Sequence, residues 1–306
     1  MNSNNIGTKL FQRFMNAYGS ISAKVDCIGS TSQVSEADTV IVLGMRVATD
    51  SPEFYDALKS MSNKDSSKVV YAHPIEDVAM LEIATQFIKY EPGSEEGVLA
   101  LLAYHLLKDV ELPENKRSFL NDLDLAYLEA ESNTGEEEFE EIINSLDKSN
   151  KNVLLVGDDL ISHDRAENIA KICAMIEKYS GFSLIFVSAY EKTVEESKSS
   201  EANGKLEEVE ELPEYNGTVI YNSNIAENSE AFLHGSAQFA TAARISDGDF
   251  ISISFSGQTV NRKFKMDSEL KGTIAINPTF DITVETDRYK FERSKINKIN
   301  QKSESR

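Results

Sequence analysis

The chain has 306 residues, enough for about two domains of ordinary size. Its 51 acidic residues outnumber its 31 basic ones, and the net charge of -20 argues against a nucleic-acid-binding protein, because phosphate contacts depend on clustered Lys and Arg. Its hydrophobic content of 41% is that of a globular protein, and the longest apolar run, residues 98–107, is far shorter than the roughly 20 residues of a membrane span.

The first half of the chain predicts a helix, a βαβ unit and a long apolar helix, in that order. Residues 10–15 have helical apolar spacing, and the β-branched run 37–44, which ends on Gly44, is typical of a buried parallel strand turning into a loop. A helix at about 52–61 and a strand at 68–72 complete the βαβ unit. Ser94 is expected to cap the apolar helix that follows it.

The second half changes from alternating strands and helices to a β-rich pattern. Residues 153–156 and 184–187 predict buried strands on either side of a helix whose inner face includes Cys173. Residues 218–221 and 250–255 predict further strands, the second with the period of two that is typical of a half-buried strand. Three glycines are expected to mark turns between these strands: Gly248, Gly257 and Gly272.

Two acidic stretches, residues 129–141 and 191–214, bury too little apolar surface to fold alone and predict solvated helix or mobile loop. The last residues are polar and basic, with seven Lys and Arg from Arg288 to Arg306. They predict either a solvated end or a segment that docks on an acidic neighbouring subunit. We therefore expect an α/β domain at 1–148, a second α/β segment with an acidic loop at 149–215, a β-rich module at 216–284 and a basic tail at 285–306.

Four segments together carry a family resemblance: residues 36–52, 91–102, 152–182 and 242–278. In this order they resemble the first strand and loop, the proline-glycine start of an apolar helix, the later strand, loop and helix, and the β-rich closing segment of the molybdopterin-oxidoreductase-like domain. That domain forms the C-terminal part of one protein in the peripheral arm of respiratory complex I, the NADH-quinone oxidoreductase. We call that protein the molybdopterin-like subunit. The resemblance implies an α/β fold with a parallel-sheet, Rossmann-like body and a C-terminal β-rich module.

Two departures from that family concern cofactors. In the wider molybdopterin family, the loop after this strand carries Asn-Pro, and the Asn helps to hold the pterin nucleotide; this chain has Arg46 and Val47 there. The molybdopterin-like subunit also has a cysteine-rich N-terminal region for iron-sulfur clusters, whereas this chain has only Cys27 and Cys173. A cluster takes four thiolates, so we expect a counterpart of that protein without its iron-sulfur region, with no cofactor of its own.

The residue types that carry chemistry are few and isolated. Asp158 and Asp159 follow a predicted strand, where two carboxylates would repel phosphate and would suit a metal ion or an amine, or would simply form a structural loop. Ser236 lies two residues from a histidine, but such neighbours rarely face one another, and a turn is expected. The four histidines lack metal-ligand spacing and are expected in the core or on the surface: His73, His105, His163 and His234.

Arg46 is the one candidate for binding, because a guanidinium directly after a strand suits an anion or a partner's carboxylate, although it would equally form a scaffold salt bridge. Cys173 has the helical spacing of a small core residue, and neither cysteine has a neighbouring basic group that would activate it. No catalytic residue and no metal ligand are predicted. Two separate cysteines, and first residues without signal-peptide character, predict a cytoplasmic protein.

The resemblance implies a non-catalytic structural subunit in the peripheral arm of a complex I-type enzyme, attached to the inner membrane through the other subunits of the respiratory complex. Two alternatives stay open. One is a chain of a split molybdopterin oxidoreductase, whose companion chain supplies the metal-ligand and cluster residues. The other is a free-standing α/β protein that binds a small anion at Arg46.

Overall fold

A computed structural model describes residues 4–22, 29–146, 151–188, 204–209, 211–223, 231–255, 258–279 and 289–299. The chain divides into two compact units, Met1–Pro213 and Glu214–Arg306, close to the boundary expected at residue 215. Each unit has its own sheet and its own hydrophobic core. Within the described ranges, no helix has both the length and the apolar character needed to cross a membrane.

The first unit contains a five-stranded sheet in the order β3-β2-β1-β4-β5, with every neighbouring pair parallel. Its strands are β1 (Thr39–Leu43), β2 (Lys68–Ala72), β3 (Gln86–Ile88), β4 (Asn152–Val156) and β5 (Ser183–Phe186). Its helices are α1 (Asn4–Gly19), α2 (Thr31–Glu36), α3 (Val47–Asp50), α4 (Pro52–Ser62), α5 (Val78–Leu81), α6 (Glu95–Leu107), α7 (Glu114–Asn121), α8 (Leu125–Ser132), α9 (Glu136–Ser145), α10 (Asp158–Ile161) and α11 (Ala166–Ser180).

Both faces of this sheet are covered, which explains why its central strands are apolar at every position rather than at alternate ones. Along β1, Ile41 and Leu43 face the core formed with α1, α6 and α11, while Val40 and Val42 face the core formed with α2 and α4. Successive side chains of a strand point to opposite faces, so a strand covered on both faces must be apolar throughout. The prediction of a buried parallel strand at residues 37–44 is confirmed.

Helix α6 is buried along most of its length, in agreement with its apolar sequence on all sides. Ser94 occupies the N-cap position, but its hydroxyl donates backwards to the Glu91 carbonyl at 2.6 Å instead of capping the helix. The expected side-chain cap at Ser94 is therefore wrong. The glutamates of the first turn, Glu95 and Glu96, are buried, and their partners lie on other elements.

The boundary expected at residue 148 falls inside one sheet, because β4 pairs with β1 along its full length. The acidic stretch before it forms helices whose apolar side packs into the core through Phe139 and Ile142. In the second acidic stretch, Leu206 and Leu212 are likewise buried in the core of the first unit, while residues 191–203 and 210 lie outside the described ranges. Acidic composition conceals these buried apolar positions, and it therefore predicts a boundary where the sheet in fact continues.

The second unit is β-rich, as expected. Its seven-stranded sheet has the order β11-β6-β10-β7-β9-β8-β12, with β6–β10 and β7–β9 parallel and the other neighbours antiparallel. The strands are β6 (Val219–Ser223), β7 (Phe232–Gly235), β8 (Phe250–Phe255), β9 (Gln258–Met266), β10 (Ile274–Pro278), β11 (Phe291–Arg293) and β12 (Lys295–Lys298), and one helix, α12 (Ala237–Ala243), packs on the sheet. Positive φ angles at Gly248 and Gly272 fit the predicted turns, and Gly257 lies outside the described ranges.

The basic tail expected at 285–306 is wrong for residues 291–298, which form both edge strands of this sheet. Phe291 is buried against β6, and Lys295–Lys298 pairs with β8 at the opposite edge. Only Ser294 separates the two edge strands, so the sheet must curl until its edges lie side by side, almost closing a barrel. The Lys and Arg of this segment disguised it as a tail because an edge strand exposes half of its side chains. Arg288, Lys302 and Arg306 lie outside the described ranges.

Candidate functional site

The carboxyl edge of the five-stranded sheet is the place where an open α/β fold binds ligands, at the point where the strand order reverses. Here that point lies between β1 and β4. The two loops that begin there meet directly: the Gly157 amide donates to the Leu43 carbonyl at 2.9 Å, and the Asp159 amide donates to the Gly44 carbonyl at 3.1 Å. We call the polar residues around these loops the carboxyl-edge cluster: Arg46, His73, Asp77, Glu95, Glu96, Asp159, His163 and Arg165.

The crevice between β1 and β4 is filled by the chain itself. Gly44 has a φ of 71°, and a Cβ placed on it would overlap Leu160 Cδ1. A Cβ on Gly157 would overlap the Gly44 carbonyl and the Met45 side chain. Leu160 and Met45 are both buried. The two glycines therefore serve to bring the loops into contact, and not to bring backbone amides close to a phosphate.

His73 and Asp159 form a buried pair at this edge. His73 follows β2, Asp159 lies in α10, and Nε2 is 3.2 Å from Oδ2, with both side chains fully buried. The Ile75 amide donates to His73 Nδ1 at 3.0 Å, so Nδ1 is an acceptor and Nε2 carries the proton that is donated to Asp159. The sequence named both residues but did not connect them. Asp159, one of the two carboxylates considered for a metal or an amine, has a histidine of its own chain as partner.

Arg46 faces a carboxylate of its own chain. Its Nε is 3.8 Å from Asp77 Oδ2, and both side chains are mostly buried, at 15% and 7% exposed. Asp77 also caps α5 by accepting from the Ala79 amide at 3.1 Å. Burial first, and then the negative charge of Asp77, raises the pKa of Tyr71, which lies beside the pair, well above its ordinary value. This geometry favours the scaffold ion pair over the anion contact for Arg46, since an anion would have to compete with Asp77.

His163 occupies a second buried position, beside the start of α6. It accepts from the Arg165 amide through Nδ1 at 3.0 Å, and its Nε2 donates to the Gly93 carbonyl at 3.1 Å, 3.6 Å from Glu95 Oε2. Burial lowers the pKa of His163 below its ordinary value. The ring is therefore the neutral tautomer with its proton on Nε2.

A network that sequence reasoning missed joins α6, α11 and the segment 204–209. Arg165 Nε donates to Glu96 Oε2 at 3.1 Å, and Asn168 donates to Glu96 Oε1 at 2.6 Å. Asn168 also holds the backbone of Glu207, whose side chain pairs with Lys171 at 2.9 Å and with Arg165 at 3.3 Å. Lys171 and Arg165 lower the pKa of the Glu207 carboxyl below its usual range. Their long sequence separation left no local signal.

The remaining candidates have structural surroundings. Cys173 is buried in α11, and Cys27 lies outside the described ranges. His105 stacks on Phe139 at 5.4 Å between ring centroids. His234 lies 3.9 Å from Asp267.

Ser236 has a capping role at the turn expected there. It accepts from the Phe239 amide at 3.0 Å as the N-cap of α12 and donates to the Gly272 carbonyl at 2.6 Å. Across the described parts of the chain, no group of three or more His, Cys, Asp or Glu side chains is arranged to hold a metal ion.

No protein-family model matches this chain, and no curated protein sequence matches it. Among solved structures, acetylene hydratase from Pelobacter acetylenicus is similar, with a TM-score of 0.54, over 90% of this chain and 77% of that chain. Sequence identity is 7%, so the likeness shows the fold alone. It confirms the expected fold class, an α/β protein of the molybdopterin-oxidoreductase type with a parallel-sheet body and a C-terminal β-rich module.

The residues at the carboxyl edge do not fit the pterin nucleotide that this fold implies. Leu160 and Met45 fill the space between the loops after β1 and β4. Asp158 and Asp159 place two carboxylates beside that space, where phosphates would be repelled. Arg46, in the position where the family has its pterin-binding Asn, faces Asp77. We therefore assign no chemical step to such a cofactor in this chain.

Proposed function

We propose that this chain is a non-catalytic structural subunit in the peripheral arm of a complex I-type NADH-quinone oxidoreductase, similar to the C-terminal part of the molybdopterin-like subunit. The single observation that carries the proposal is the filled crevice between β1 and β4 in a fold of the molybdopterin-oxidoreductase type. A fold whose usual ligand position is closed by its own side chains retains its surface and its rigidity, and these are what a scaffold protein needs.

The pairing within the carboxyl-edge cluster supports the same proposal. His73 with Asp159, Arg46 with Asp77, and Arg165 with Glu96 each satisfy one charged or polar group with another of the same chain. Buried networks of this kind specify one rigid arrangement when their members are partnered. A catalytic site would instead direct such groups into a space that a substrate can enter.

The charge of the chain supports a role among other proteins. A net charge of -20 gives an acidic surface that would complement basic patches on neighbouring subunits and speed their association. In this proposal the chain is cytoplasmic and reaches the inner membrane through its partner subunits.

The test is purification of the chain under a chromosomal affinity tag from gently solubilised membranes, with an unrelated tagged cytoplasmic protein as control. We expect it to copurify with NADH-quinone reductase activity and with the subunits that carry the iron-sulfur clusters. Separated from those subunits at high salt, it should carry no stoichiometric molybdenum or pterin. Stoichiometric molybdenum on this chain would favour the split molybdopterin oxidoreductase, and recovery of the chain alone would favour the free-standing protein. Either result would overturn the proposal.

A further inference from the structure

A cleft of about 400 Å³ opens in the first unit where the ends of α1 and α11, the start of α7 and the segment 204–209 come together. Three lysines line it: Lys116, Lys178 and Lys205. Asn115 and Tyr179 add neutral polar side chains, and no acidic residue is among the described residues of the lining. In a chain with a net charge of -20, this cleft is a local concentration of positive charge.

A neighbouring cleft of about 790 Å³ shows the ordinary arrangement by contrast. It shares Lys205 with the first, but its lining also contains Glu167, Glu207 and Glu208. Its cations are matched there, since Glu207 pairs with Arg165 and with Lys171. The smaller cleft has the cations without the carboxylates.

Backbone carbonyls hold two of its amines in place. Lys116 is 6% exposed, and its Nζ donates to the Gly204 carbonyl at 2.5 Å. Lys178 Nζ donates to the Ile21 carbonyl at 3.2 Å. A carbonyl orients an ammonium group without cancelling its charge, and each ammonium has three donors, so further donors remain for a ligand. Within the described chain, no carboxylate forms an ion pair with Lys116, Lys178 or Lys205.

The mutual repulsion of these amines is felt at the most buried one. Burial lowers the pKa of Lys116 from 10.5 to about 8, with further lowering by the positive charges of Lys178 and Lys171. An anion bound between the amines would offset this repulsion and favour the protonated form of Lys116. Binding should therefore be accompanied by proton uptake near pH 8.

We propose that this cleft binds the phosphate group of a small phosphate monoester. Three amines from three different elements converge on one space, and this suits a compact dianion with several acceptor oxygens better than a single carboxylate. The volume lies in the range of small-molecule sites and exceeds what a bare phosphate needs, so there is room for the organic part of the ester. The inference does not depend on the proposed function, since none of these residues belongs to the carboxyl-edge cluster.

Isothermal titration calorimetry on the full chain, at constant ionic strength and pH 7.5, tests the proposal with inorganic phosphate and glycerol 3-phosphate as separate probes. Stronger binding of glycerol 3-phosphate supports an ester ligand, and equal binding of both supports phosphate recognition but overturns the part of the proposal that concerns the ester. Binding of neither probe at millimolar concentration overturns the proposal entirely.

A matched pair of variants separates a site from general charge attraction. Lys178→Gln with Lys205→Gln removes two exposed cations of the cleft, and Lys59→Gln with Lys64→Gln removes two exposed cations at α4, which covers the opposite face of the sheet. We expect the first pair to weaken binding at least about tenfold and the second to leave it within about twofold. Equal weakening by both pairs would reduce the interaction to general electrostatics and overturn the proposal.

The pH dependence provides a readout that a surface effect would not share. Raising the pH from 7.5 to 9.5 deprotonates Lys116 and should weaken binding of glycerol 3-phosphate, whose own charge stays almost constant over this range. Titrations in two buffers of different ionisation enthalpy should show proton uptake near pH 8. Binding that neither weakens nor takes up protons would exclude Lys116 from the site and overturn the assignment of the cleft.

Discussion

His73 and Asp159, 86 residues apart in the sequence, share a hydrogen bond of 3.2 Å with both side chains fully buried. The pair joins the loop after β2 to the loop after β4 across the end of β1. It therefore closes the carboxyl edge of the sheet from within, next to the crevice that Leu160 fills.

Removing the carboxylate from this pair should be costly. Asp159→Ala leaves the His73 Nε2–H buried without its acceptor, and we expect a loss of about 3 kcal/mol in the free energy of unfolding. Asp159→Asn keeps an acceptor oxygen and should lose only about 1 kcal/mol. Urea unfolding followed by circular dichroism measures both, which suits a chain without tryptophan. Equal losses for the two variants would show that charge, and not the hydrogen bond, is what His73 requires.

The contact between Gly44 and Leu160 can be isolated with a second glycine. Gly44 and Gly181 have φ angles of 71° and 81°, but a Cβ on Gly44 would overlap Leu160, whereas one on Gly181 would have nothing within 4 Å. Gly181→Ala should therefore lose about 1 kcal/mol from backbone strain, and Gly44→Ala about 2 kcal/mol more from the overlap. In a Leu160→Ala background that extra loss should shrink, because the overlapping atoms are gone. Equal losses in the wild-type background would mean that the loops are not in contact.

His163 predicts acid sensitivity. Because burial lowers its pKa in the folded protein below the ordinary 6.5, the unfolded chain binds a proton that the folded chain does not. Its contribution to stability is complete above pH 6.5 and is lost as the pH falls from there towards the lowered pKa. Between pH 7.5 and 5.5 the loss from one histidine is at most about 1.4 kcal/mol. Urea unfolding of wild type and of His163→Gln at both pH values should show the smaller pH-dependent loss in the variant, and identical losses would contradict the assignment.

The C-terminal strands predict opposite effects of two truncations. A chain that ends at residue 288 loses β11 and β12, including Phe291, whose ring lies 4.7 Å from that of Tyr221 between centroids. The melting temperature of the second unit should fall clearly, since burial of a Phe contributes about 3 kcal/mol or more. A chain that ends at residue 299 keeps both strands and should melt like the full chain, although it lacks Lys302 and Arg306. Calorimetry on both chains makes the comparison, and an unchanged transition for the shorter chain would restore the view of this segment as a tail.

The sequence by itself determined the fold class because that information is local. The apolar run before Gly44, the strand before Gly157 and the alternation at residues 250–255 each report the burial of one strand, and each strand is present. The order of such segments also indicated a molybdopterin-oxidoreductase type of fold, in agreement with the structural likeness. Periodicity and β-branching depend on the few residues around each position, so one sequence was enough to find them.

Only the tertiary structure decided which residues share a site. His73 meets Asp159, Arg46 meets Asp77, and Lys116 meets Lys178, each pair brought together by sheet pairing or helix packing over separations that leave no periodic trace. The edge strands within 291–298 were hidden for the same reason: their basic side chains are exposed, while the backbone bonds that hold them belong to β6 and β8, far earlier in the chain. Local composition reports whether a residue meets water, but the partner it meets is set by the folded chain as a whole.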